Sequence, residues 1–271
     1  MIERHQLDGR ASDVDTTPAD TFSSWDTATH GPDPRPRWVV TDLNARDTEL
    51  GILKTGKEAD VHLVERAVAG GPRCLLAAKR YRTADHRQFH RDAGYTEGRR
   101  VRRSRETRAM ARRTEFGREL LAGQWSAAEF EALGRLWADG APVPYPVQLL
   151  GTEVMLEFIG DASGEAAPRL ASWRGTRAEA ADLWDQLRDA MTLLARHGWA
   201  HGDLSAYNLL VHDGRLVMID LPQVVDVVAN PQGVEFLARD CRNVGAWFAR
   251  HGVDVDVDLL IGDLAADAFG A

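Results

Sequence analysis

The order of apolar and polar positions divides the chain into a strand-rich first part and a helix-rich second part. Glu58-Ala-Asp-Val-His-Leu-Val-Glu65 alternates with a period of two, and Cys74-Leu-Leu-Ala-Ala-Lys79 reads as a second strand after a Gly70-Gly71-Pro72 turn. Gly51 to Gly56 reads as a turn ahead of them. Further on the period becomes helical. Ser126-Ala-Ala-Glu129 has the form of a capping box, and Phe130, Leu133, Leu136 and Trp137 make one apolar stripe. That stripe stops at Gly140, and Pro142, Pro144 and Pro146 block its resumption. Val147 to Ile159 holds two short apolar runs, read as strands leading into a hinge. Thr176-Arg-Ala-Glu179 is a second capping box, opening a helix with Leu183, Leu187, Met191 and Leu194 on one face and ending near Gly198. A last helix is predicted from Pro231 to Gly252, with Phe236, Leu237, Cys241, Val244 and Phe248 inward. Residues 1–37, rich in Asp, Thr, Ser and Pro, read as a flexible arm. Strands first and helices later predict an α+β fold in two lobes. The N-lobe, 38–155, carries a small antiparallel sheet and a first long helix at 126–139; the C-lobe, 156–271, is mainly helical.

Composition narrows the class. The chain has 271 residues, 44% of them hydrophobic, and no apolar run approaches the length of a membrane span. Met1 to Arg10 is charged with no apolar stretch behind it, so no signal peptide is expected. Cys74 and Cys241 stand in no metal-ligand spacing and read as two small buried hydrophobes, which suits a reduced cytoplasm. The net charge of −8 is uneven: residues 80–118 hold 13 Arg against five acids, a net of +8, and leave −16 on the rest. A basic segment on an acidic body can attract a polyanion, RNA included, although a solvated helix is an equally good reading. Of the 33 basic residues only Lys54, Lys57 and Lys79 are lysines, all in one short region. A compact ammonium suits phosphate contacts in a tight loop.

Three segments carry the chemistry. Gly51-Ile-Leu-Lys-Thr-Gly56-Lys57-Glu58 nearly matches G-x-x-x-x-G-K-[ST], but Glu58 replaces the metal-binding hydroxyl and Val61 and Leu63 alternate as in a strand. A glycine turn between antiparallel strands is the other way to fold backbone over phosphates. His201-Gly-Asp203-Leu-Ser-Ala-Tyr-Asn208 has the spacing H-x-D-x-x-x-x-N, in which Asp orients an attacking hydroxyl and Asn offers a neutral oxygen to a metal. Leu216-Val-Met-Ile-Asp220 is an apolar strand ending in a carboxylate, a hard ligand suited to Mg²⁺. Lys79, at a strand end, has Glu129 as its candidate partner, provided the helix starts near Thr114; otherwise Glu129 caps its own helix.

With these residues in place, the chain resembles the RIO family of atypical protein kinases. The carriers are Lys54-Thr-Gly-Lys-Glu-Ala59, Trp125-Ser-Ala-Ala-Glu-Phe130, Leu156-Glu-Phe-Ile159, the His201–Asn208 loop and Ile219-Asp-Leu-Pro-Gln223, in that order. The tail helix with Glu235-Phe-Leu-Ala-Arg-Asp240 also fits. The resemblance implies a two-lobed protein-kinase-like fold, ATP with Mg²⁺ (Mn²⁺ as a substitute) as cofactors, and phosphorylation of protein Ser or Thr, including the chain itself. It makes Asp203 the catalytic aspartate, with Asn208 and Asp220 holding the metal and Lys79 contacting phosphate. Thr55, Gly56 and Lys57 lie over the phosphates, Glu157 and Ile159 offer hinge backbone to adenine, and Val61, Ala77 and Leu210 line the nucleotide pocket. In some family members the metal-binding aspartate accepts phosphate transiently, a role open to Asp220. The chain departs from the family pattern at Lys54, ahead of Thr55, where Ser or Ile is frequent, and at Leu221, where Phe or Val is more typical. After Asp220 about 50 residues remain, with no Ala-Pro-Glu, so an ordinary activation segment hardly fits.

Two other functions compete with protein phosphorylation. One is an ATPase that times release from an RNA–protein particle through the Arg-rich segment. The other is small-molecule phosphotransfer, since antibiotic kinases also carry a His-Gly-Asp loop. Thr96, Ser104, Thr107 and Thr114 are the candidate autophosphorylation sites. His86 and His90 lack further ligands, and Asp254, Asp256 and Asp258 lack the Gly and Glu of a calcium loop.

Overall fold

The computed structural model describes residues 20–82, 115–221 and 224–270. Of the Arg-rich segment 80–118, residues 83–114, with the four hydroxyl candidates and His86 and His90, lie outside the described residues. In chain order the strands are β1 (Asp20–Phe22), β2 (Thr29–His30), β3 (Arg46–Thr55), β4 (Ala59–Ala67), β5 (Arg73–Tyr81), β6 (Pro146–Leu150), β7 (Glu153–Glu157), β8 (Trp199–Ala200), β9 (Leu209–His212), β10 (Arg215–Met218) and β11 (Val225–Asp226). The helices are α1 (Glu115–Ala138), α2 (Arg177–Arg196), α3 (Gly233–Arg250) and α4 (Val257–Gly270). Among the described residues, no helix is long and apolar enough to cross a membrane.

Seven strands make one antiparallel sheet in the order β1-β3-β4-β5-β7-β6-β2. The predicted turn at Gly51–Gly56 is instead strand: β3 runs on to Thr55, with register shifts at Glu49/Gly51 and Ile52/Lys54. The reversal is confined to Gly56–Glu58. Gly56 donates its N–H to Ala59 O at 3.0 Å, and a Cβ there would stand 2.8 Å from that oxygen, so the turn needs glycine.

The predicted flexible arm is corrected from Asp20 onward, residues 1–19 lying outside the described residues. There it pairs into the sheet through β1 and β2 and covers the sheet's back face. Trp25, Val39, Val40 and Ala45 pack there against Val64, Cys74, Leu76 and Ala78. Gly31 lets the strand approach, since a Cβ would fall 1.8 Å from Pro146 O, and Tyr145 donates its hydroxyl to Pro32 O at 3.0 Å. The low hydropathy that marks the arm as disordered is offset by one tryptophan and by backbone pairing.

The first long helix starts at Glu115, eleven residues before the predicted box, so Ser126 is interior and donates its hydroxyl to Gly123 O and Gly151 O. It ends as predicted at Gly140: Ala141 N–H reaches Leu136 O and Gly140 N–H reaches Trp137 O, with Gly140 at φ 82°. The Thr176/Glu179 box caps α2, and Leu183, Leu187, Met191 and Leu194 are buried along it. Asp213-Gly214, both at positive φ, close the two-residue β9–β10 hairpin. The helical core gathers these α2 residues with Leu204, Leu209, Met218, Cys241 and Phe248, and α1 contributes Leu133 and Leu136 to it. The predicted last helix is not the last. Asp256 accepts Leu259 N–H at 3.0 Å ahead of α4, which buries Leu260, Leu264 and Ala268. The alternating Val253-Asp-Val-Asp-Val-Asp258 run hid this helix start.

Candidate active site

Strand register builds the upper half of the site. Lys54 pairs with Val61, and Val61 with Lys79, so the three side chains share one row on the front face of β3, β4 and β5. The irregularity between Ile52 and Lys54 brings Lys54 into this row. From below, α1 presents Glu129, which is 1% exposed. Lys79 Nζ lies 2.6 Å from Glu129 Oε1 and 2.7 Å from Asp220 Oδ1. Tyr81, two residues on and facing the same way, donates its hydroxyl to Glu129 Oε2 at 2.5 Å. Lys54 Nζ stands 3.4 Å from Asp220 Oδ2. Thus each oxygen of Asp220 faces one ammonium.

Burial works against ionisation at this cluster, and pairing outweighs it. Burial alone would raise the Asp220 carboxyl, but the charges of Lys79 and then Lys54 hold it well below the usual carboxylate range. Burial would likewise lower Lys79, yet Glu129 and Asp220 raise it. For Tyr81 both effects agree: burial first, then the Glu129 charge, push the phenol well above its ordinary value.

The lower half hangs on two backbone clamps. Asp240, on α3, accepts Gly202 N–H at 2.7 Å and Leu204 N–H at 2.9 Å, so its carboxylate holds the loop on both sides of Asp203. Burial raises the Asp240 carboxyl, opposed by His201 and these two bonds. Asn243 donates to Leu204 O, and Arg239 to Gly202 O. Ile219 supplies the second clamp: its N–H meets Asn208 O at 3.0 Å and its carbonyl meets His201 Nε2 at 3.1 Å. His201 Nδ1 receives Asp203 N–H at 3.4 Å, so Nε2 carries the ring proton. Asn208 Nδ2 donates to Asp203 O at 2.9 Å, and its amide oxygen accepts no hydrogen bond shown among the described residues. Asp220 follows directly at φ 68°, a left-handed conformation uncommon outside glycine.

Between the halves lies a cavity of about 430 Å³. Gly56, Lys57, Val61, Ala77, Lys79, Glu129, Glu157, Ile159, Leu210 and Asp220 line it, as do Lys54 and Leu156. Thr55, the exposed Asp203 and Asn208 do not. At the hinge, Glu157 N–H already bonds Tyr145 O and Ile159 O accepts Ala167 N–H. Among the described residues, neither Phe158 N–H nor Ile159 N–H has a backbone acceptor. Burial raises the Glu157 carboxyl. The donors fit a small divalent metal by chemistry: one carboxylate and one amide oxygen, with no cluster of three or more His, Cys, Asp or Glu among the described residues. Mg²⁺ takes such a sparse set when phosphates complete it.

Sequence reasoning did not assign Lys54, Tyr81 or Asp240 to this site. The confinement of all three lysines to residues 54–79 was a signal for Lys54. An aspartate between Leu237 and Cys241 on an apolar helix face was one for Asp240.

A family model for the RIO domain matches residues 73–260. The RIO-type serine/threonine-protein kinase Rio1 of Haloferax volcanii is 37% identical over 210 residues, spanning 78% of this chain and 66% of that protein. Serine/threonine-protein kinase RIO1 of Caenorhabditis elegans is 34% identical over 227 residues, spanning 82% of this chain and 42% of that protein. The chain thus spans from about two fifths to just under two thirds of these relatives' length. Among solved structures, the Rio2 kinase of Chaetomium thermophilum in an ADP/Mg²⁺-phosphoaspartate complex shares the fold, with a TM-score of 0.54 at 19% identity over 82% of this chain and 66% of that one. A domain match over more than half the chain, on the fold of a solved RIO kinase, identifies the chain as a member of the RIO family.

Proposed function

We propose that this chain is an ATP- and Mg²⁺-dependent phosphotransferase acting on Ser or Thr hydroxyls of proteins, its own included. The observation that carries the reading is the Glu129–Lys79–Asp220 chain of ion pairs at the polar end of an apolar cavity. Val61, Ala77, Leu156 and Leu210 give a base its apolar walls, and Ile159 N–H gives it a donor. Lys79, fixed by Glu129, reaches the α- and β-phosphates, under Thr55 at the end of β3 and Gly56 and Lys57 of the turn that follows. Asn208 and Asp220 hold Mg²⁺, or Mn²⁺ in its place. The bound metal neutralises charge on the phosphate oxygens.

Asp203 is exposed beyond the cavity lining, where a protein hydroxyl can approach. It orients that hydroxyl and takes its proton. The oxygen bonds to the γ-phosphorus, the bond to the β-phosphate oxygen breaks, and ADP leaves. The ADP/Mg²⁺-phosphoaspartate complex of the Chaetomium protein supports a nucleotide and metal at this site, and makes Asp220 a second place to look for label. Water in place of the hydroxyl would make the same site an ATPase.

The test is Mg²⁺-dependent ATP turnover by the wild type and Asp203→Asn, following free and protein-bound phosphate separately. Turnover is expected to fall by about 10²-fold or more in the variant while ATP still binds. Label on Ser or Thr supports the kinase reading, and release as free phosphate the ATPase. Equal, negligible turnover by both proteins with ATP binding intact overturns the enzymatic reading.

A further inference from the structure

Lys54 holds a place that the nucleotide-site reading above does not use. Its side chain lies in one row with Lys79, on the far side of Val61, and both ammonium groups converge on the same carboxylate. The two contacts differ in kind. Lys79 is 9% exposed, bonds Asp220 at 2.7 Å and is anchored a second time by Glu129. Lys54 is 37% exposed, stands 3.4 Å from Asp220, and has no other ion-pair partner among the described residues. A compact ammonium on a four-carbon stem with one long contact can change partner without breaking a buried network.

Charge points to the new partner. Lys54 and Lys79 together balance Glu129 and Asp220, so the cluster is neutral as it stands. A nucleotide triphosphate carries more negative charge than one divalent metal cancels, and further cation is needed at its phosphate end. When Asp220 oxygens turn to a metal, the cation at Oδ2 must leave, and the phosphates are the nearest excess of negative charge.

We propose that Lys54 is a further phosphate-binding residue, which exchanges Asp220 Oδ2 for the β-phosphate, common to the nucleotide di- and triphosphate, while Lys79 stays fixed. The inference rests on the nucleotide-binding reading of the cavity. It gives a ligand-recognition role to Lys54, and it couples strand β3 to the occupancy of the site.

The experiment is calorimetric titration of Mg²⁺ADP and of adenosine into the wild type, Lys54→Gln and Lys54→Arg. Lys54→Gln is expected to bind Mg²⁺ADP about tenfold more weakly, the size of one charge-assisted hydrogen bond in a partly exposed site. Adenosine affinity is expected to stay unchanged, and Lys54→Arg to recover most of the loss. Unchanged Mg²⁺ADP affinity in Lys54→Gln overturns the proposal and leaves Lys54 as a bystander of Asp220. Parallel loss of adenosine and Mg²⁺ADP binding also overturns it, because the lysine would then act through the shape of the loop. If the wild type itself bound no Mg²⁺ADP, the nucleotide reading would fall first.

Discussion

Two buried ionic clusters sit on opposite faces of the same sheet, and they are built differently. On the back face, Arg66 of β4 is fully buried, and each of its three nitrogens has a partner. Its Nε and Nη2 hold both oxygens of Asp47 at 2.7 and 2.8 Å, and Nη1 holds Gln148 Oε1 at 2.8 Å. Gln148 passes the network on to Ser24 Oγ in the N-terminal segment. On the front face, Lys79 of β5 joins Glu129 to Asp220, and Asp220 is 30% exposed toward the cavity. A fully buried guanidinium whose three nitrogens are all engaged by fixed neighbours is not free to change partner, so it fastens the segment 20–47 to the sheet. Ammonium groups around a carboxylate that opens on a cleft can exchange partners. The difference separates a fastening from a site, although both are buried pairs of opposite charge.

The sharpest way to break this comparison is to remove each cation. Arg66→Met leaves Asp47 buried and unpaired and is expected to destabilise the fold by about 3–5 kcal/mol in denaturant unfolding. Nucleotide affinity of the folded fraction is expected to stay unchanged. Lys79→Met should show the reverse pattern. Asp220 keeps Lys54 and solvent, and Glu129 keeps Tyr81, so the loss of stability is expected to be smaller, while turnover falls by about 10²-fold or more. Equal destabilisation by the two substitutions would mean that the Lys79 cluster is also a fastening.

A smaller effect is expected at Asp240, whose two oxygens hold Gly202 and Leu204 N–H on either side of Asp203. In Asp240→Asn the amide oxygen can accept one of these bonds, but the NH₂ then faces the other donor. Turnover is expected to fall about tenfold, roughly 1.4 kcal/mol, with the KM for ATP unchanged. A rise in KM with kcat unchanged would show that α3 supports the nucleotide cavity and not the Asp203 loop.

The front face was more legible in the sequence than the back. His201, Asp203, Asn208 and Asp220 sit within twenty residues at spacings set by one loop and one hairpin, so local pattern alone brings them together. Glu129 was ambiguous because Ser126-Ala-Ala-Glu129 is locally a perfectly good cap, and only the run of helix back to Glu115 removes that reading. The back face depends on contacts far apart in sequence: Arg66 meets Gln148, and Gln148 meets Ser24. A Pro- and Asp-rich stretch that pairs at the edges of a sheet carries no periodicity to reveal it. Helix α4 was hidden for a related reason, since its leading Val-Asp alternation imitates a strand while its buried stripe, Leu260, Leu264 and Ala268, is only three residues long.

The smallest expected effect tests how far the front cluster depends on its outer partner. Tyr81→Phe removes the hydroxyl that Glu129 Oε2 accepts, while Lys79 still holds Oε1. Stability is expected to drop by roughly 1.5 kcal/mol, the low end for a bond to a charged group. Turnover should change by no more than about threefold, because the Lys79–Asp220 contact is untouched. The pH dependence follows from the raised phenol pKa, caused by burial and then by Glu129. A group raised in the folded state contributes stability below its unfolded value and loses it as pH rises through the folded one. The stability gap between wild type and Tyr81→Phe should therefore be constant from neutrality to about pH 9 and narrow only above pH 10, the ordinary tyrosine value. A turnover loss as large as that of Lys79→Met would place Tyr81 among the groups that set Lys79, and the front cluster would then depend on its outer bond as tightly as Arg66 does on its own.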